Sequence, residues 1–220
     1  MHVRVKSAKG RKLSSTRWLQ RQLNDPYVEA AARDGYRSRA AYKLAELNER
    51  FGFLKRGAKV IDLGAAPGGW TQIIVESTDA KNPKSRARVI AVDIADMEPV
   101  EGAEILTLDF LGQDAPEMIM QCLGGRADAV LSDMAPRITG HAKTDHLRIM
   151  ALVEAALELA KEVLAPGGVF VAKVLQGGTE QKLLAEMKTC FAAVRHAKPP
   201  ASRTESSEIY VIATGYRGAG

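Results

Sequence analysis

The stretch that most restricts what this chain can fold into runs from Lys59 to Trp70, KVIDLGAAPGGW. Val60 and Ile61 begin a short apolar run that passes through Asp62 into glycines and alanines, and WTQIIVES follows with helical spacing. That order predicts a buried parallel strand, a tight turn, and a helix whose first turn leaves backbone N–H groups facing a crevice. Turns of this kind are where an open α/β sheet takes its ligand. Gly64, Gly68 and Gly69 let the backbone approach a ligand where a Cβ would intrude. Neither G-x-G-x-x-G nor G-x-x-x-x-G-K-[ST] follows a strand, so the dinucleotide fingerprint and the P-loop are both missing.

The remainder alternates strand and helix. Arg17 to Ala32 has helical spacing, with Pro26 opening its second half. Ser38 is placed to cap a helix carrying Ala41, Leu44, Ala45 and Leu47 inward, and Gly52 to end it. Strands are expected at Ala58–Leu63, Ala87–Val92, Ile105–Leu108, Ala129–Leu131 and Val169–Val174. Helices are expected at Trp70–Ser77, Gln113–Leu123, Asp145–Leu164 and Thr179–Met187. Phe191–His196 and Ile209–Ala213 are joined by a segment without a helical pattern, which predicts an antiparallel pair. The fold class is therefore α/β, a mostly parallel seven-stranded sheet with the last strand antiparallel.

Three predicted strands end in aspartate. Asp93 closes the second strand, where Rossmann-like folds hold a ribose diol on a carboxylate. Asp109 closes the third, placed to accept from an adenine amino group, and Asp133 closes the fourth above the same crevice. Without a phosphate-cradling turn these acids fit S-adenosylmethionine better than NAD, and the glycine turn is similar to motif I of the Rossmann-like methyltransferases.

Charge is unevenly distributed. Residues 1–40 hold ten lysines and arginines against three acids, a local +7 in a chain whose total is +5, so the remaining 180 residues carry −2. A basic segment on a near-neutral body points to a polyanion, most simply nucleic acid. Arg37, Arg39 and Lys43 crowd a helix N-terminus, where cations oppose the helix dipole, which suggests an anionic ligand or partner. Cys122 and Cys190 lie far apart with no metal-ligand spacing, which predicts buried thiols in a reducing compartment and no metal site. No apolar run approaches the length of a membrane span.

From Ser14 onward the chain resembles the FtsJ/RlmE family of 2′-O-ribose RNA methyltransferases. The matching segments are SSTRWLQRQLNDPYVEAA, GYRSRAAYKL, VIDLGAAPGGWTQ, VLSDMAPRITG, VAKVLQGG and SSEIYVIATGYR, in that order. The resemblance implies a catalytic set of Lys43, Asp133, Lys173 and Glu208. It implies S-adenosylmethionine contacts at Gly68, Trp70, Asp93, Asp109 and Asp133. The implied substrate is a uridine ribose of 23S rRNA in the large ribosomal subunit, on the assembled 50S particle, with tRNA or a non-catalytic assembly role as alternatives. Because the match begins at Ser14, the basic N-terminus reads as part of the enzyme rather than as a transit peptide. The chain then divides into a basic, RNA-facing extension, residues 1–35, and a methyltransferase domain, residues 36–220, expected to be a cytoplasmic monomer.

The residues agree with that implication at Lys173, which lies inside the apolar run VFVAKVL, a costly place for a lysine without a partner or a task. We expect it to be the base that takes the 2′-hydroxyl proton, or the group that orients that hydroxyl. An ordinary lysine is protonated at neutral pH. A base here therefore needs surroundings that disfavour ammonium, namely partial burial, Lys43 and a sulfonium.

Overall fold

The computed structural model describes residues 13–136, 139–176 and 181–218. The cations Arg4, Lys6, Lys9, Arg11 and Lys12, and the expected helix start at Thr179, lie outside them. Two helices come first, α1 (Leu13–Leu23) and α2 (Pro26–Asp34). They are separated at Asn24–Asp25, where the Asp25 carboxylate accepts from the Tyr27 backbone N–H and Pro26 fills the first helical position, so one predicted helical span becomes two.

Helix α3 (Ala40–Phe51) ends on Gly52 in the left-handed conformation, as its sequence predicts. Its start differs from expectation. Arg39 occupies the N-cap without a side-chain cap bond, and a Cβ on Gly69 would collide with the Ser38 Oγ. Ser38 is therefore a packing neighbour of the glycine turn rather than a cap.

The sheet is built from β1 (Lys59–Leu63), β2 (Arg88–Asp93), β3 (Glu104–Thr107), β4 (Ala127–Ser132), β5 (Leu164–Leu175), β6 (Phe191–Ala197) and β7 (Glu208–Tyr216). Their spatial order is β3-β2-β1-β4-β5-β7-β6. Neighbours from β3 through β5 run parallel, and β7 is antiparallel to both β5 and β6. The predicted sheet class and antiparallel last strand are thus present. Strand β5 begins earlier than expected, because Pro166-Gly167-Gly168 lies within it and shifts the register against β4 between Ala127 and Ala129.

Helices α4 (Gly69–Thr78), α5 (Ala115–Leu123), α6 (Ala142–Val163) and α7 (Gln181–Cys190) complete the alternation. Two apolar layers form on the two sheet faces. One gathers Ile61, Leu63, Ile119, Leu157, Phe170 and Phe191, and the other Leu44, Leu47, Val60, Trp70, Ile74 and Tyr210. Cys122 and Cys190 are only half-buried at the rim of the first layer, not fully buried as expected. Among the described residues no helix is long and apolar enough to cross a membrane.

The order reverses between β1 and β4, so the strand ends at Leu63 and Ser132 open a crevice at the switch point. The glycine turn and the acidic strand ends all come to that edge.

Candidate active site

Four charged side chains from separate parts of the chain converge where β4 and β5 end and β7 begins. Lys173 is only 6% exposed and sits in an interior strand, between β4 and β7. Its Nζ donates to the Asp133 carbonyl at 2.7 Å and lies 3.2 Å from the Asp133 Oδ1 and 3.8 Å from the Glu208 Oε1. Lys43, buried on α3, donates to the Glu208 Oε2 at 3.1 Å. The structure therefore brings together all four residues of the expected catalytic set.

Burial alone would push the Glu208 carboxyl up, but Lys173, Lys43 and the Lys43 hydrogen bond outweigh it and hold it below its ordinary value. Two cations and two anions balance, which lets four charges occupy a site so little exposed.

A fifth member, Tyr210, is absent from the sequence reading. Its hydroxyl donates to the Asp133 Oδ1 at 2.6 Å, and its ring packs 5.6 Å from that of Trp70 with the Lys43 Nζ 5.9 Å from its centroid. Burial, then the Asp133 charge and hydrogen bond, raise its phenol well above the ordinary value, so it stays a donor. A signal for it existed: Tyr210 lies two residues after Glu208 on a strand, which puts both on one face, and it pairs across the sheet with Lys173.

Asp133 also lines a cavity of about 690 Å³ that runs over the ends of β1, β2 and β3. Its wall includes Gly64, Ala66, Asp93, Ile94, Leu108, Asp109, Phe110, Met134 and Leu152. All three strand-end acids thus face one space, of a size that suits a small-molecule ligand. Asp93 accepts from the backbone N–H of Ala66 at 2.9 Å through Oδ2 and of Ala95 at 2.9 Å through Oδ1, tying β2 to the glycine turn. Asp109 accepts from the Leu111 N–H at 3.0 Å.

Gly68 and Trp70 stand at the head of α4 and are not part of this wall. The Trp70 indole is buried and donates to the Ala40 carbonyl at 2.9 Å. The Gly68 N–H donates to the Ala65 carbonyl at 2.7 Å, so of the two it is the Trp70 backbone N–H, in the first helical turn where N–H groups lack intrahelical acceptors, that is left to meet a ligand. Among the described residues no cluster of ligating side chains suits a metal ion.

Asp62, in the interior of β1, is the second functional-type residue that sequence reasoning missed. It is 1% exposed, accepts from the Thr71 Oγ1 at 2.7 Å, and its other oxygen has no hydrogen-bond partner among the described residues. Burial, with smaller contributions from Asp133 and Asp93 and opposed by the Thr71 bond, pushes its carboxyl up to about 7. A carboxylate within the apolar run KVIDL was the available signal.

The three cations expected to await an anion are occupied by the protein itself. Arg37 donates to the carbonyls of Pro67, Glu98 and Pro99, clamping the glycine turn to the loop after β2. Arg39 pairs with Asp25 at 3.2 Å and donates to the Ala201 carbonyl, and Lys43 holds Glu208. Their crowding at a helix start is a consequence of three internal partners.

Comparison with known proteins agrees with this architecture. The model of the FtsJ-like methyltransferase family matches residues 36–216. Ribosomal RNA large subunit methyltransferase E of Paramagnetospirillum magneticum is 62% identical over 217 residues, covering 99% of this chain and 89% of the relative. Its counterpart in Rhodospirillum rubrum is 61% identical over 218 residues, covering 99% of this chain and 82% of its own. Among solved structures, a Plasmodium falciparum protein assigned as a ribosomal RNA methyltransferase superposes with a TM-score of 0.74 at 27% identity, over 84% of this chain and 100% of that one. With a family model spanning most of its length and relatives this similar, the chain belongs to the FtsJ-like methyltransferase family.

Proposed function

We propose that this protein transfers the methyl group of S-adenosylmethionine to the 2′-hydroxyl of a uridine ribose in 23S rRNA, with the assembled 50S subunit as substrate. The observation that carries the reading is the closed arrangement of Lys43, Glu208, Lys173 and Asp133 at the edge of an acid-lined cavity that shares Asp133 with it. The large-subunit rRNA named for the relatives supports the choice of substrate.

The cavity's donor set fits the cofactor. Asp93 offers a bidentate acceptor to a ribose diol, Asp109 an acceptor to an adenine amino group, and Ile94, Leu108 and Phe110 apolar walls to a purine ring. On its wall the carboxylates of Asp93, Asp109 and Asp133 outnumber the cation Arg148, which suits a cationic sulfonium and ammonium. Trp70 would contribute its backbone N–H, and Gly68 the left-handed turn that presents it. Bound there, S-adenosylmethionine supplies an electrophilic methyl group.

Lys43 and Glu208 hold the substrate ribose in line, which itself removes much of the barrier. Once Lys173 has given up its own ammonium proton, the free amine would take the proton from the 2′-oxygen as that oxygen bonds to the methyl carbon, the carbon–sulfur bond breaking and the thioether leaving. The ammonium so formed lies between the carboxylates of Asp133 and Glu208, which stabilise it as charge develops. Asp133, held by Tyr210, sets the position of Lys173 relative to the cavity.

We further infer that residues 1–35 form a basic, RNA-facing extension and residues 36–220 the methyltransferase domain. The family match beginning at residue 36 and the helix-ending Gly35 support that boundary. The protein is proposed to act as a cytoplasmic monomer.

The test is to incubate the protein and labelled S-adenosylmethionine with large subunits, free rRNA and tRNA from cells lacking the enzyme, then map any 2′-O-methyl group. Label on a large-subunit uridine is expected. Label confined to tRNA, or none, refutes the assignment. Lys173→Ala should abolish transfer while cofactor binding survives, and near wild-type turnover in that variant removes Lys173 from the chemistry.

A further inference from the structure

A second cavity, of about 400 Å³, lies between the α1–α2 corner and the loop that precedes β7. Its wall includes Arg21, Asn24, Arg39, Ser202, Arg203 and Glu205. The cavity has no part in the chemistry described above, yet both of its sides lead directly into the tetrad. Arg39 stands four residues, about 6 Å along the helix axis, before Lys43, and the loop holding Ser202 and Arg203 runs straight into Glu208.

The floor is built rather than incidental. Asp25, buried, receives the Arg203 Nε at 3.0 Å and lies 3.2 Å from the Arg39 Nε, so two guanidinium groups share one carboxylate. The Arg39 guanidinium stacks 5.6 Å over the Tyr27 ring. Glu46 fixes the same corner, accepting from the Tyr27 hydroxyl at 3.2 Å and the Ala201 backbone N–H at 2.6 Å. Burial, countered by Asp25 but reinforced by the adjacent Arg203, pushes Arg39 below its ordinary value, as two neighbouring cations with too little anion between them require.

Two further observations point to a ligand. Ser202 is only 8% exposed, lines the cavity, and its hydroxyl has no hydrogen-bond partner among the described residues. Arg21 stands exposed on the rim. Counting Arg21, Arg39 and Arg203 against Asp25 and Glu205, the wall keeps one net positive charge.

We propose that this cavity is an RNA subsite for a nucleotide flanking the one that is methylated, its phosphodiester held by Arg21 and Arg203 and a ribose hydroxyl meeting the Ser202 Oγ. The inference rests on the reading of the protein as an RNA methyltransferase. It adds to that reading a defined place, next to the tetrad, where the strand is gripped. Such a grip brings the target ribose to Lys43 and Glu208 by fixing its neighbour, and it contributes to RNA affinity without touching the reacting atoms.

The test combines cross-linking with kinetics on the full chain with S-adenosylmethionine bound. Ultraviolet irradiation with large subunits from cells lacking the enzyme should attach RNA to the segments Gln20–Tyr27 and Pro200–Glu205, and Arg21→Glu should abolish those adducts. Arg21→Glu should also raise the KM for subunits about tenfold or more and leave kcat and cofactor affinity unchanged. The salt dependence of log KM should flatten by about 0.7, the loss of one phosphate contact on a single strand, and Arg21→Lys should restore most of the effect. Adducts that map elsewhere, or an unchanged KM in Arg21→Glu, overturn the subsite. If adducts form here and vanish in Arg21→Glu while the wild-type protein methylates no RNA, the subsite stands and the methylation reading falls.

Discussion

Asp62→Asn gives the sharpest check on the electrostatics of the cavity edge. The carboxyl is fully buried in β1 with one oxygen bonded to Thr71 and the other without a partner among the described residues, and it titrates near 7 rather than at its ordinary 3.8. The folded chain therefore keeps a proton on Asp62, between about pH 4 and pH 7, that the unfolded chain has released. By linkage its contribution to stability falls as pH rises through that window and is flat above it. Between pH 5 and pH 8 the fall comes to roughly 3 kcal/mol. The asparagine variant has no such proton to lose, and every other titrating group is common to both proteins. Urea denaturation of the cofactor-free proteins at matched ionic strength should show Asp62→Asn gaining about 3 kcal/mol on the wild type between pH 5 and pH 8. A difference constant to within ~0.5 kcal/mol across that range refutes the argument, and with it the claim that Asp62 is buried as the neutral acid.

Three other perturbations test neighbouring parts. Tyr210→Phe removes the donor to the Asp133 Oδ1 and should cost about 2 kcal/mol, the usual range for a bond to a charged group; turnover should drop at least tenfold as Asp133 loosens, and a calorimetric scan with unchanged Tm counts against it. Arg37→Ala loses the clamp on the carbonyls of Pro67, Glu98 and Pro99, so the KM for S-adenosylmethionine should rise about tenfold with kcat little altered, and Arg37→Lys should recover part of it; an unchanged KM excludes the role. Gly64→Ala forces a Cβ into a left-handed position, φ 73°, and into collision with the Met134 Cγ in the cavity wall. It should destabilise by about 1 to 2 kcal/mol and weaken cofactor binding in isothermal titration, and wild-type affinity in that variant refutes the close approach.

The sheet was legible because its signal is periodic. Apolar runs such as VIAV and VLS alternate with amphipathic helices, and each strand end carries a turn residue that marks the crevice. What sequence could not resolve was which charge meets which. Arg37, Arg39 and Lys43 sit within seven residues and read as one basic patch, yet they answer to three different partners: loop carbonyls, Asp25 and Glu208. Asp25 and Glu208 are distant in sequence from the cations they neutralise, so only the fold could pair them. Likewise the expected cap Ser38 yielded its role because the tight approach of Gly69 took its place. Tyr210 and Asp62 were missed for the opposite reason. Each is a polar residue in an apolar strand; the Tyr210 phenol is uncharged and costs little there, whereas Asp62 is as costly as Lys173 and was passed over because it adjoins the glycine turn.

The tetrad also explains why alanine substitutions alone identify its members poorly. Lys43 and Lys173 are balanced by Glu208 and Asp133 in a site so little exposed that removal of one partner strands a charge, a loss of about 3 to 5 kcal/mol for a buried pair. An inactive Lys173→Ala protein could then be inactive because Asp133 has been released from its place, since the same Nζ holds both the backbone carbonyl and the carboxylate of that residue. The chemical role is separated from the structural one by pairing substitutions. Lys173→Met with Asp133→Asn restores neutrality and bulk without restoring a base, and Asp133→Asn alone measures what the acid itself contributes, so a double variant that recovers wild-type stability and cofactor binding yet transfers methyl groups far more slowly than Asp133→Asn assigns Lys173 to proton transfer. A double variant that regains turnover assigns it to charge balance instead.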